Sequence, residues 1–314
     1  MADNPEATLE QHYIDAALEN LGHLPQQKES RLIDLVDSDL NFGKKGESFN
    51  ADDLDDDAEP DEIEDRYGPT PEGQSGKRRR LGFFSPFDKQ RWLGDDIDNA
   101  KSLSDPSNAT IQSMQFGLNR FRDRKIIATL GAKAKEGSGT HDAVNVNFPA
   151  AQKIAINDWT YAQKGDASSG NAPLTFSKLN KAGVMLGAAQ IDLPGEKILL
   201  CTAEQIGELL RDPTITSADY NAVKALMAGE IDVFMGFRFR TTQLLPIPTA
   251  GQRTCYAFWG KSIMYRARKL TEFKITQRAD RRYNWQAYYK GWHGALRRHD
   301  EAVVEIACTE TTIA

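Results

Sequence analysis

The chain has 314 residues, 40% hydrophobic and 27% charged, with a formal net charge of −6. That length and balance suit a buried core in about two domains. They exclude wholesale disorder, a collagen-like rod and a disulfide-stapled miniprotein. Apolar stretches such as 182–191 hold about ten residues, half the roughly twenty a membrane helix needs, so no membrane partner is expected.

Charge is unevenly spread. Residues 1–100 carry 25 acids and 11 bases, a balance of −14, which leaves +8 for the rest of the chain. Such asymmetry suits partners of opposite sign, or two edges of one protein meeting across a subunit contact. The N-terminal MADNPEATLEQ lacks a basic stretch followed by an apolar block and does not read as a secretory signal.

In chain order, Leu9, Tyr13, Ala17 and Leu21 share one face of a helix over 9–22. An acid run with ten carboxylates follows, from Asp52 to Asp65, and includes Asp55, Asp56 and Asp57. Prolines and glycines over 66–77 mark a loop tip. Beyond it comes the basic cluster Lys77-Arg78-Arg79-Arg80, then Leu81-Gly82-Phe83-Phe84. The stretch 50–90 reads as a long two-stranded excursion outside the compact core.

Asp105-Pro106 is a helix start, an N-cap acid followed by proline. Ile111, Met114, Leu118 and Phe121 recur at helical spacing, and Ile126, Ile127 and Leu130 continue a broader apolar face toward Gly131. The helix should run about 25 residues, roughly 37 Å. Further on, the patterns predict a strand at 143–148 and a helix at 173–189. A buried strand at 196–202 and helices at 203–211 and 217–228 follow. Strands are then expected within 231–245 and at 254–259, 272–277 and 302–308. Strands and helices mix without regular βαβ repetition, so the fold class is α+β with mostly antiparallel pairing.

Motifs for chemistry are missing. The sequence has no phosphate loop, dinucleotide fingerprint, H-E-x-x-H, G-x-S-x-G or C-x-x-C. His12, His23, His141, His293 and His299 stand beside no nucleophile in sequence. No enzyme, cofactor or metal site is expected. Asp53, Asp55, Asp57 and Glu64 match four positions of a calcium loop, but Ala58 occupies the place of the glycine its turn needs. Cys201, Cys255 and Cys308 sit in apolar strand-like runs and read as buried free thiols. Residues 281–298 interleave bases with aromatics, which suits either nucleotide stacking or a strand whose aromatics pack inward while its bases face out.

The order of elements carries more than any motif. An N-terminal arm, a charged excursion, one long helix introduced by KSLSDPSNAT, and a mixed α/β region follow one another. Local segments agree: LPGEKILLCTAEQIGELLRD, GEIDVFMGFRFRTTQLLP and YKGWHGALRRHDEAVVEIACTE. The chain thereby resembles the major capsid protein of tailed bacteriophages from about residue 30 onward.

The resemblance implies the tailed-phage capsid fold. An N-terminal arm would span 1–45 and an extended loop region 46–104. The peripheral domain would span 105–195, with a spine helix at about 105–135. An axial domain would take 196–265, and a C-terminal segment, 266–314, would return to these sheets. It further implies a head protein that self-assembles as pentamers and hexamers into an icosahedral shell around double-stranded DNA. A separate scaffolding protein, a portal and decoration or cement proteins would be partners. The protein would belong to the virion, after assembly in the host cytoplasm. Candidate inter-subunit contacts are Asp55, Asp56, Asp57, Lys77, Arg78, Arg79 and Arg80. The competing readings are an encapsulin-like compartment shell and a nucleic-acid-binding protein that uses 281–298.

Overall fold

The computed structural model describes residues 25–43, 45–54, 68, 76–94, 107–139, 142–160, 170–191, 193–210, 233–268 and 272–310. The expected helices at 9–22 and 217–228, the Asp105-Pro106 start, most of the acid run and its tip, and His12, His23 and His141 lie outside them.

Three sheets and one long helix organise the described chain. Strands β1 (Asp37–Asp39), β2 (Ser48–Leu54), β3 (Lys77–Phe83) and β4 (Ser85–Gly94) precede helix α1 (Ser107–Gly131). Strands β5 (Ala134–Glu136), β6 (Val144–Val146) and β7 (Lys153–Ile154) follow, then α2 (Phe176–Ala188), β8 (Lys197–Cys201) and α3 (Ala203–Leu209). The remainder is β9 (Val233–Phe234), β10 (Phe237–Thr241), β11 (Gln252–Trp259), β12 (Ile263–Ala267), β13 (Glu272–Arg278), β14 (Asn284–Arg297) and β15 (Val303–Thr309).

The six-stranded sheet has the order β7-β15-β11-β8-β10-β9. Ile198–Cys201 of β8 are all buried, as the unbroken apolar run foretold. One face packs Leu199, Cys201, Phe237, Cys255 and Ile306 against Leu179, Ala182 and Leu186 of α2 and Leu209 of α3. Residues on both sides of position 195 contribute to this cluster. Both helix starts are capped, α2 by Thr175 and α3 by a reciprocal box between Thr202 and Gln205. β9 and β10 join through Met235 and Gly236, both at positive φ, as a tight two-residue hairpin requires.

A second sheet runs β1-β12-β14-β13, with β4 also paired to β14. α1 bridges the two sheets. Ile111, Met114 and Leu118 pack near Leu93, Ala287 and Tyr289 of the second sheet. Ile126, Ile127 and Leu130 pack with Ile198, Leu200 and Phe258 of the first. At 100° per residue these two stripes differ by roughly 130° around the helix. The broad apolar face of the sequence is thus two narrower stripes, each serving a different sheet. Phe121 belongs to neither core cluster. It is 39% exposed and packs against the rings of both Phe87 and His293, which also touch each other.

The third sheet, β2-β3-β5-β6, contains the base of the excursion. β2 and β3 pair antiparallel from Ser48↔Phe83 to Leu54↔Lys77. The expected two-stranded ribbon is present, but its base is not peripheral. Phe49, Ala51, Phe84 and Leu296 form one buried cluster. Gly82 and Gly294 leave room for the Phe49 ring, since a Cβ on either would lie within 2.7 Å of it.

Candidate assembly surface at the loop base

The strand register fixes which charges meet. Asp52 faces Arg79 and Asp53 faces Arg78 across β2 and β3, and Arg80 faces Glu136 of β5. Arg79 Nε donates to Asp52 Oδ1 at 2.6 Å on the exposed side. The Arg79 hydrogen bond holds the Asp52 carboxyl below its usual range. Arg78 reaches His299 Nδ1 at 3.1 Å and lies 3.8 Å from Asp53. Asp53 also accepts two hydrogen bonds from Arg298, at 2.8 and 2.6 Å.

Arg80 points away from Arg79 and into the interior. It is 2% exposed and donates from Nη2 to Asp300 Oδ2 at 2.7 Å, with Nε 2.8 Å from Glu136 Oε1. The other Asp300 oxygen accepts from Arg297 Nε at 2.7 Å. Burial pushes the Asp300 carboxyl up, but Arg297 and Arg80 outweigh it and hold the group below the usual carboxylate range. Arg297 Nη1 donates to the carbonyls of Leu130 and Ala132, both at 2.7 Å, at the C-terminal end of α1. A cation there satisfies orphan carbonyls and complements the helix dipole.

One network therefore links the ribbon base, the end of α1 and the β14–β15 turn. Of the sequence candidates, Lys77, Arg78 and Arg79 stay on the surface of an open cleft of about 770 Å³, with Asp52, Asp53 and Gly137. Arg80 is a correction, because its charge is spent inside the subunit. Asp55, Asp56 and Asp57 lie outside the described residues. Sequence reasoning missed Glu136, Arg297, Arg298 and Asp300. The only signal was the motif Arg297-Arg298-His299-Asp300, which concentrates charge in a closing turn. Its partners on the ribbon are over 200 residues away.

The basic-aromatic segment is a single long strand with a shorter stretch before it. Tyr289, His293 and Arg297 are buried, whereas Tyr283 and Trp285 are exposed. Two of its cations, Arg297 and Arg298, are committed to carboxylates of the same chain.

Other chemistry-bearing groups are structural. The cysteines are free and buried, and burial pushes the Cys201 thiol up to about 12. Lys178 is buried, yet its ammonium donates to the carbonyls of Ile156, Ala172 and Ala307 at 3.0, 2.8 and 2.8 Å. All three of its donors are used. Among the described residues no group of three His, Cys, Asp or Glu is arranged to hold a metal, and no helix is long and apolar enough to cross a membrane.

A family model described as "Phage capsid protein" matches residues 9–310. Among solved structures, the chain is similar to the capsid of cyanophage P-SCSP1u, with a TM-score of 0.68 and 11% identity over 95% of this chain and 94% of that one. It is similar to the capsid of Ralstonia phage GP4, with a TM-score of 0.67 and 10% identity over 100% and 98%. It is also similar to a chain of Mycobacterium phage Che8, with a TM-score of 0.64 and 14% identity over 93% and 96%. A search of curated sequences gave no match.

Proposed function

Since this chain belongs to the phage capsid protein family, we propose how its parts divide the work of building a shell. It is a major capsid protein, a structural component of the virion whose copies associate into the phage head. The finer reading is that these copies gather as pentamers and hexamers of an icosahedral shell around double-stranded DNA. Assembly takes place in the host cytoplasm with a separate scaffolding protein and a portal, and decoration proteins are further partners. The protein does no catalysis.

In this reading residues 1–45 act as the arm and 46–104 as the loop that reaches a neighbour. Helix α1 is the spine of a peripheral part within 105–195, and residues 196–265 supply most of an axial part. The segment 266–314 returns to close both.

The observation that carries the proposal is the anchoring of the ribbon base. Arg80, Asp300 and Arg297 tie β3 to the end of α1 through buried ionic hydrogen bonds. An isolated two-stranded ribbon is marginal in water. One whose root is locked to the longest helix can present its far end to another subunit in a fixed direction. Electron microscopy of the expressed protein, with its scaffolding partner present, tests the reading. Closed shells with five-fold and six-fold clusters are expected, and only monomers or irregular aggregates would count against it.

A further inference from the structure

His299 stands half-buried in the β14–β15 turn with charge on every side. From β3, Arg78 Nη2 approaches its Nδ1 at 3.1 Å. Asp53 of β2 acts on the same ring, and Arg298 and Glu301 flank it along the turn. Asp300, its other neighbour, and Glu136 of β5 are both turned to Arg80. A guanidinium has only donors and never loses its charge in a protein. The Arg78 contact is therefore a hydrogen bond only while Nδ1 keeps its lone pair, with the ring neutral and its proton on Nε2. A proton on Nδ1 would set N–H against N–H and one cation against another. An alternative acceptor is at hand. Oδ1 of Asp53 takes both bonds from Arg298, whereas its buried Oδ2 takes none.

We propose that His299 is a proton-operated catch on the ribbon: neutral, it ties Arg78 of β3 to the β14–β15 turn, and protonated, it turns to Asp53 Oδ2 and releases Arg78. Burial holds the imidazole below its usual 6.5, with Arg298 and Arg78 working against Asp53 and Glu301. Once the ribbon opens, the ring regains its ordinary affinity, so the open form binds the proton more tightly than the closed one. Closure is complete above pH 6.5, weakens as the pH falls toward the folded value, and changes no further below it. The rest of the ribbon keeps its charges in mild acid. The carboxyls of Asp52 and Asp300 are held below their usual range, which preserves the Arg79 pair and the Arg80 root. The outer rungs Asp53↔Arg78 and Leu54↔Lys77 can then part while Ala51↔Arg80 holds. Mild acid thereby redirects the ribbon without unfolding the subunit. The device works within one chain and does not depend on the shell reading.

Hydrogen exchange of the full-length chain, corrected for the intrinsic effect of pH on exchange, tests the catch. Between pH 7.5 and pH 5, protection at 52–54 and 77–79 should fall at least about threefold, while 80–83 keeps its value. His299→Gln, whose amide oxygen can accept from Arg78 at any pH, should hold the outer rungs level and protected. His299→Lys, which carries a fixed charge, should leave them open at both pH values. A wild type without the step, or a step that persists in His299→Gln, overturns the proposal. So does an equal loss at 80–83, which would mean that the whole ribbon unfolds, or a protected ribbon in His299→Lys. If His299→Gln misfolds, Arg78→Gln decides. Without the guanidinium nothing remains to be released, so protection should be low and level, and a surviving step overturns the proposal.

Discussion

Arg80 and Asp300 stand 220 positions apart in sequence and 2.7 Å apart in the structure, where they meet in the interior. Asp300 divides its two oxygens between Arg80 and Arg297, so one carboxylate joins the ribbon base to the end of the spine helix. Reversal of the whole Arg78-Arg79-Arg80 cluster therefore cannot leave the fold untouched. Arg80→Ala alone should cost about 1–3 kcal/mol, because it strips a donor from one oxygen of buried Asp300 while Arg297 still holds the other. Arg79→Ala, which loses an exposed pair, should cost at most about 1 kcal/mol. Urea unfolding of the two variants provides the comparison. Equal midpoints would contradict the inward role of Arg80.

Leu118 is buried between α1 and the second sheet, beside Met114 and Tyr289. Leu118→Ala should destabilise the subunit by about 2–4 kcal/mol. A thermal melt coincident with the wild type would remove this residue from the core.

Gly294 sits where β14 passes the ribbon base. A Cβ there would lie 2.6 Å from the Phe83 carbonyl oxygen and 2.7 Å from the Phe49 ring. Because one of these neighbours is backbone, Gly294→Ala should cost about 1–3 kcal/mol through overpacking. Gly187 in α2 has nothing within 4 Å of that position. Gly187→Ala should be neutral or stabilise by up to about 1 kcal/mol through helix propensity. The order of the two melting temperatures is the readout, and its inversion would refute the packing argument.

His293 is buried in the second sheet, stacked on Phe121 and 3.2 Å from the Tyr265 hydroxyl. Burial, with help from Lys125 and Arg122, pushes its pKa down from 6.5 to about 4. The unfolded chain then binds this proton more readily than the folded one. Stability from this group is full above about pH 6.5, declines as the pH falls toward 4, and is flat below. The loss amounts to at most about 3 kcal/mol. Denaturant unfolding at pH 7, 5.5 and 4.5 should show the decline, and His293→Leu should flatten it. A variant with an unchanged pH slope would place the titration elsewhere.

Cys201 lies in β8 with its thiol pushed up to about 12 by burial. A maleimide should leave it unlabelled in native buffer and modify it at once in guanidinium chloride. Fast labelling without denaturant would contradict the burial of β8.

Local physics decided a good part of this protein in advance. The apolar run Ile198–Cys201 could only be a buried strand, and the spacing of Met114, Leu118, Ile126 and Leu130 could only be a long helix. The order of these elements carried the resemblance to capsid proteins. Each of those signals lies within one element, so the sequence records it directly. Partner choice does not. Arg78, Arg79 and Arg80 are alike in sequence, yet strand alternation turns Arg78 and Arg80 away from Arg79, and the register opposite Glu136 brings Arg80 to the buried carboxylate of Asp300. The two stripes of α1 became separable only once two sheets stood on different sides of it. Only the tertiary structure decided which charges the fold consumes and which it leaves on the surface for another subunit, because ion pairs between residues hundreds of positions apart depend on topology and leave no periodic trace in the chain.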